Sequence, residues 1–158
     1  MKSFFEDERR FNALQSEIQR WKGTPSRPHQ GRPGVGTDCV RFVHGVLKNI
    51  GALPEMEWPP YVTRGGGEQM LHLCRSTILG LRGVTPIWAE GDNESPFRLI
   101  QRGDFLLIST GKALHHLVLV EQPPTVWHCF KEVTSGSMHD SVVANHLKNV
   151  FRILHHGR

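Results

Sequence analysis

Apolar positions recur at helical spacing early in the chain and gather into short β-branched runs late in it. Phe4, Phe11, Leu14, Ile18 and Trp21 share one helical face, which predicts an amphipathic helix over 3–22. Ser3 and Glu6 form its capping box, and Gly23 and Pro25 stop it. A Pro/Gly-rich loop over 23–37 follows. A second helix begins near Asp38, with Val40, Val43, Val46, Leu47 and Ile50 as its buried face and Gly51 as its end. Residues 54–67 read as another loop and 68–79 as a third, shorter helix. The rest is mostly strand-like: 105–109, 117–120, 126–130 and 150–154 are apolar or β-branched runs, with Pro123-Pro124 turning the chain between two of them. Residues 138–148 fit a short helix or a loop. Helices first and strands later predict an α+β fold, with N-terminal helices packed on an antiparallel sheet.

The chain has 158 residues, enough to bury a core without covalent staples, and favours one domain over 1–158. Apolar residues make up 38% and charged residues 22%, an ordinary globular balance. No run of eighteen apolar residues is present, so no membrane span is expected. Acidic residues interrupt the N-terminus where a secretory peptide needs an apolar stretch, so synthesis in the cytoplasm without an export signal is expected. The net charge of +4 favours anionic partners, but the basic residues are scattered, which argues against nucleic acid. Cys39, Cys74 and Cys129 are too few and too irregularly spaced for a disulfide framework.

Gly34-Val35-Gly36-Thr37-Asp38-Cys39 puts a cysteine in the first turn of a helix after a glycine-rich loop. Free N–H groups and the positive end of the helix dipole favour thiolate there, and can also hold a developing oxyanion. Such settings lower a cysteine pKa from about 8.5 to roughly 3.5–7.5. The plainer alternative is a small apolar residue packed at a helix start. Cys74, among Leu71, Leu73 and Ile78, reads as core. Cys129 faces away from His128 by strand alternation and reads as core as well.

His116 opens one predicted strand and His128 lies within the next, so the two can sit side by side. His116 is then the base for Cys39, and His128 the group that fixes its tautomer. His115 cannot share that site from a regular strand and is expected to be an exposed neighbour. His44, deeper in the Cys39 helix, is expected to be packing or surface. With ten histidines, a strand histidine that is merely a satisfied core or surface group is the competing reading. No His-Glu-x-x-His or paired Cys-x-x-Cys spacing appears, which argues against zinc.

Together these segments resemble the NlpC/P60 cysteine peptidases, in the form found with phage tails and gene-transfer particles. Gly36-Thr37-Asp38-Cys39 is similar to the family's Gly-x-Asp-Cys, and His116-Leu117-Val118-Leu119-Val120 to its His-Val-Gly-Ile-Tyr type of strand. The step from His116 to His128, the Gly103-Asp104 lead into a strand, and Trp21-Lys22-Gly23-Thr24-Pro25 followed by His29-Gln30-Gly31 also resemble it. The likeness runs from about residue 10 to 130. Three departures stand out. Val40-Arg41 replaces a small pair after the cysteine. Ser26 stands where the family often has a tyrosine close to the nucleophile. A longer gap before His116 suggests an insertion over about 54–98, with Trp58, Tyr61, Trp88 and Phe97 as cleft-wall candidates or plain core.

The resemblance implies a papain-like fold and cleavage of amide bonds in peptidoglycan stem or cross-link peptides. Cys39, His116 and His128 would form the catalytic set, with no metal and no cofactor. Asp38, Arg41 and Ser26 are the candidates on the substrate side: Arg41 for a carboxylate, Asp38 chiefly as a helix cap. The protein would be virion-associated or delivered to the cell wall, with other phage-tail proteins as partners. The alternatives are a catalytically weakened homologue serving as a structural or binding module, an acyltransferase or amidase, and a zinc protein.

Overall fold

The computed structural model describes residues 2–62, 66–110 and 115–155. Its elements in chain order are β1 (Lys2–Ser3), α1 (Glu8–Trp21), β2 (Gly31–Arg32), β3 (Gly36–Thr37), α2 (Cys39–Asn49), α3 (Gly67–Leu79), β4 (Val84–Ala89), α4 (Pro96–Leu99), β5 (Phe105–Ser109), β6 (His115–Val120), β7 (Thr125–Cys129), β8 (Val133–Ser137), α5 (Ser141–His146) and β9 (Leu147–His155). The main sheet runs β1-β9-β5-β6-β7-β8, with β4 also paired to β9, and every pairing in it is antiparallel. This is the α+β arrangement of helices on an antiparallel sheet.

Alternation along the strands divides the core between the two faces of the sheet. Phe105, Leu107, Leu117, Leu119, Trp127 and Cys129 pack with the buried faces of α1, α2 and α3. Leu106, Ile108, Val118, Val120, Val126 and Val150 pack on the other side with Trp88, Met138 and Val143. The helices α1 and α2 touch closely because Gly45 has no side chain; a Cβ there would lie 2.7 Å from the Trp21 ring.

The first predicted helix is split. Ser3 caps only a short 3₁₀ turn, Phe4–Glu6, through Phe5 N–H at 3.3 Å. The Asp7 carboxylate accepts from Arg9 and Arg10 N–H at 2.8 and 3.2 Å and starts α1 instead. The break lets Phe5 turn inward onto Gly103, where φ is +83° and a Cβ would lie 2.0 Å from the Phe5 ring.

Strands β4 and β8 have no counterpart in the sequence reading. Pro86 interrupts the β4 pattern, which is tolerated because the pairing with β9 shifts between Pro86 and Trp88. β8 is a polar, largely exposed strand at the sheet's edge, so alternation is weak in it. The stretch 138–148 contains the short helix α5. Residues 54–98 supply a loop, α3, β4 and α4, and β4 joins the main sheet. Among the described residues no helix is long and apolar enough to cross a membrane.

Candidate active site

Asp38 sets the position of Cys39. Its Oδ1 accepts from Arg41 N–H at 2.8 Å and caps α2. Its Oδ2 accepts from His29 N–H at 2.9 Å and from the Tyr61 hydroxyl. Both carboxylate oxygens are therefore engaged and the residue is buried. Asp38 is a cap and a tether for two loops, with three donors on its two carboxylate oxygens.

The start of α2 meets the sheet where two strands separate. On β6, Val120 donates its N–H to Asp104 O and accepts from Gly103 N–H at the head of β5, so even-numbered residues bond towards β5 and odd-numbered ones towards β7. Among the described residues the β6–β7 ladder contains Leu119↔Trp127 and Val120↔Val126. Beyond it, the outward backbone groups of His115 and Leu117 face α2 instead. Cys39 Sγ lies 4.0 Å from the His115 carbonyl oxygen and takes the Leu117 N–H. These are the two residues that flank His116.

His116 and His128 point to the other side of the strands. Their rings are joined by a hydrogen bond, His116 Nε2 to His128 Nδ1, at 3.0 Å. Phe130 lies against His116 with ring centroids 4.6 Å apart, and only 3% of His116 is exposed. Among the described residues no hydrogen bond joins Cys39 to His116; the thiol's partners are backbone.

Electrostatics also depart from the expectation of a thiolate. Burial pushes the Cys39 thiol up to about 12, opposed by the Leu117 N–H and reinforced by the Asp38 charge. Burial, and then the neighbouring His128, push His116 down to about 3. His128 is lowered by burial, with the Asp140 charge opposing. Burial thus favours the neutral form of both the thiol and the imidazole.

The remaining sequence candidates fall in different places. Ser26 is exposed, on the segment that bridges Thr37, and its side chain acts on the Cys129 thiol, opposing the rise that burial gives it. Cys129 donates to Thr37 O at 3.5 Å from the helical side of the sheet, and Cys74 is buried in α3. Arg41 lies with its guanidinium 5.9 Å from the Tyr61 ring centre, and its buried Nε has no hydrogen-bond partner. His115, expected to be exposed, is 2% exposed and pairs its Nδ1 with Ser109 Oγ at 2.9 Å, because β6 begins at His115 and carries it into the core. His44 is buried, bonded to Pro54 O at 2.9 Å, and packs on Trp58. Trp58 and Tyr61 stand on the α2 side, whereas Trp88 and Phe97 pack on the far face of the sheet.

The sequence offers Tyr61 as a cleft-wall candidate without its partner; the structure ties it, and the 54–62 loop with it, to Asp38. Phe130, expected at the end of a strand, lies just past β7 against His116. Among the described residues no group of three or more His, Cys, Asp or Glu could hold a metal ion.

No family model matches the chain, and no curated protein matches it. Among solved structures it is similar to a protein of Staphylococcus aureus subsp. aureus Mu50 described as similar to lipoprotein, of the NLP/P60 family. The TM-score is 0.63 at 16% identity, over 98% of this chain and 44% of that one. The chain thus has the fold of an NLP/P60-family structure and spans less than half of that protein's length.

Proposed function

We propose that the protein is a cysteine hydrolase that cleaves amide bonds in peptidoglycan peptides, with Cys39 as nucleophile, His116 as base and His128 as the group that orients the base. One observation carries the proposal. The Cys39 helix start sits on the backbone that flanks His116, while His116 is bonded to His128, in a chain with an NLP/P60 fold. Random placement of ten histidines gives no reason for that convergence.

With both groups neutral at rest, Cys39 acts by general-base catalysis rather than as a preformed thiolate. Sγ attacks the substrate carbonyl carbon as its proton passes to His116, and the oxygen gains the negative charge. Backbone N–H groups at the start of α2 are the donors suited to that charge. The imidazolium of His116 then protonates the leaving amine, the C–N bond breaks, and a thioester remains on Cys39. Water, deprotonated by His116, releases the acid and restores the thiol. Arg41, beside the nucleophile with an unpartnered Nε, is the residue suited to a substrate carboxylate.

Purified protein incubated with soluble peptidoglycan fragments tests this by mass spectrometry. The reading expects paired products, one with a new amine and one with a new carboxylate, and no products with Cys39→Ala. Intact fragments, or products that persist in Cys39→Ala, contradict it.

A second reading has its own support. The buried, high-pKa thiol without a bond to His116 suits a weakened homologue that binds rather than cuts, as part of a phage tail or similar particle. Binding of the same fragments without turnover would favour it.

A further inference from the structure

The His116–His128 bond leaves one proton to be placed. In the neutral pair, one of the two facing nitrogens carries it and the other accepts it. If His116 takes the Cys39 proton on Nδ1, that atom is bare beforehand, and the His116 proton sits on Nε2 and is donated to His128 Nδ1. His128 must then carry its own proton on Nε2. That nitrogen lies 3.6 Å from where a Cβ of Gly136 would be, so it points under β8. A cavity of about 200 Å³ opens there, lined by His128, Phe130, Gly136, Ser137 and Asp140 among others. Ile108, Val126 and Val143 supply apolar wall, so an N–H aimed into it needs an acceptor.

Two acceptors are at hand. Ser137 Oγ already accepts from His139 N–H at 3.1 Å and carries no charge. Asp140 uses Oδ1 to cap α5 through Val142 N–H at 3.0 Å, which leaves Oδ2. The carboxylate also acts on His128 electrostatically, favouring its charged form. His116 from β6 and Asp140 from the start of α5 are the titratable groups that act on His128 among the described residues; β8 and Phe130 bring none.

We propose that Asp140 is a positioning residue for the histidine pair: its carboxylate, through a water molecule in the cavity beyond His128, accepts the His128 Nε2–H and so holds the tautomer in which His116 Nδ1 is the proton acceptor. A 200 Å³ space with a charged wall has room for such a bridge. When His116 gains its proton, the positive charge is shared along a line that ends at a carboxylate, as in other nucleophile–base–orienter sets. The tautomer and its catalytic consequence rest on the hydrolase reading, whereas the placement of Asp140 at the cavity beyond His128 does not.

The experiment is histidine-15N NMR of the whole chain, wild type against Asp140→Asn, with peptide turnover read in parallel. Asparagine still caps α5, so it removes the charge and keeps the fold. The expected result is a wild-type His128 protonated on Nε2, with a titration midpoint that falls by about half a pH unit in Asp140→Asn. In turnover, kcat falls about tenfold with KM unchanged, and Asp140→Glu restores it. Should the asparagine variant unfold, Gly136→Ala serves instead. Its methyl meets Nε2 at ordinary contact distance, displaces the bridge, and lowers the same midpoint. A His128 proton on Nδ1, or a midpoint unmoved by the variant that folds, overturns the proposal. A Nε2 proton and a shifted midpoint without peptide cleavage would sink the hydrolase reading and leave the Asp140 assignment standing.

Discussion

Tyr61 donates its phenolic hydrogen to Asp38, the residue that caps the helix bearing Cys39. The loop that carries Tyr61 is thereby fastened to the nucleophile's own helix start. Burial and the Asp38 charge both raise the phenol's pKa, so it stays a donor throughout the working pH range.

Removing that hydroxyl tests the tether. Tyr61→Phe leaves the Oδ1 cap and the His29 bond in place, so a loss of about 1–2 kcal/mol is expected. Asp38→Ala removes the cap and strands two donors, at a cost of about 2–4 kcal/mol. Urea denaturation measures both. Limited proteolysis of Tyr61→Phe should find new cuts within 54–62; an unchanged digest would show that the loop is held elsewhere.

Buried histidines set how the fold responds to acid. Burial lowers His44 and His128, and with His128's help lowers His116 to about 3. The unfolded chain binds protons at these residues from about pH 6.5 downward, and the folded chain does not. Stability is therefore complete above about pH 6.5 and falls as pH drops towards the folded values. Melting temperature should decline steadily from pH 7 to 4.5, with a shallower slope in His116→Gln. The same depression places the acid limb of turnover below the ordinary histidine midpoint.

The ion pair between Arg152 and Asp104 holds β9 to the head of β5. Arg152 Nε and Nη2 reach the two Asp104 oxygens at 2.9 Å each, and the Asp104 side chain is fully buried. Arg152→Met leaves that carboxylate without its partner and should cost about 3–5 kcal/mol. Adding Asp104→Leu should recover much of the loss. Equal destabilisation in the single and double variants would mean that packing, not charge, is responsible.

Phe130 covers one face of the His116 ring. It is 39% exposed yet lies with its ring centre 4.6 Å from the imidazole. Phe130→Ala should let water reach the ring, raise the His116 midpoint from about 3 towards its ordinary value, and speed Cys39 modification at neutral pH several-fold. Unchanged titration would show that the sheet alone keeps the ring dry.

How far the sequence carries depends on how local the signal is. The α2 start was legible because cap, helix face and stop are contiguous, and Asp38 does cap it. The proximity of His116 and His128 was legible from the register of neighbouring strands. The Tyr61–Asp38 bond joins residues 23 apart through a loop without periodicity, so nothing local announces it. Asp7 displaced Ser3 as the cap of α1 because the sequence offers two good caps four residues apart, and propensity does not rank them. The burial of Cys39 is illegible for a different reason. A helix start favours thiolate and burial opposes it, and that burial is a property of the packed sheet.

The pairing of Cys39 with His116 is tested most directly by iodoacetamide modification at pH 7, with peptide mapping to separate the three buried cysteines. General-base help from His116 predicts that Cys39 reacts well ahead of Cys74 and Cys129, and that His116→Ala slows Cys39 alone by about tenfold or more. If Cys39 reacts no faster than the other two, or keeps its rate in His116→Ala, the imidazole does not serve the thiol and the hydrolase account fails.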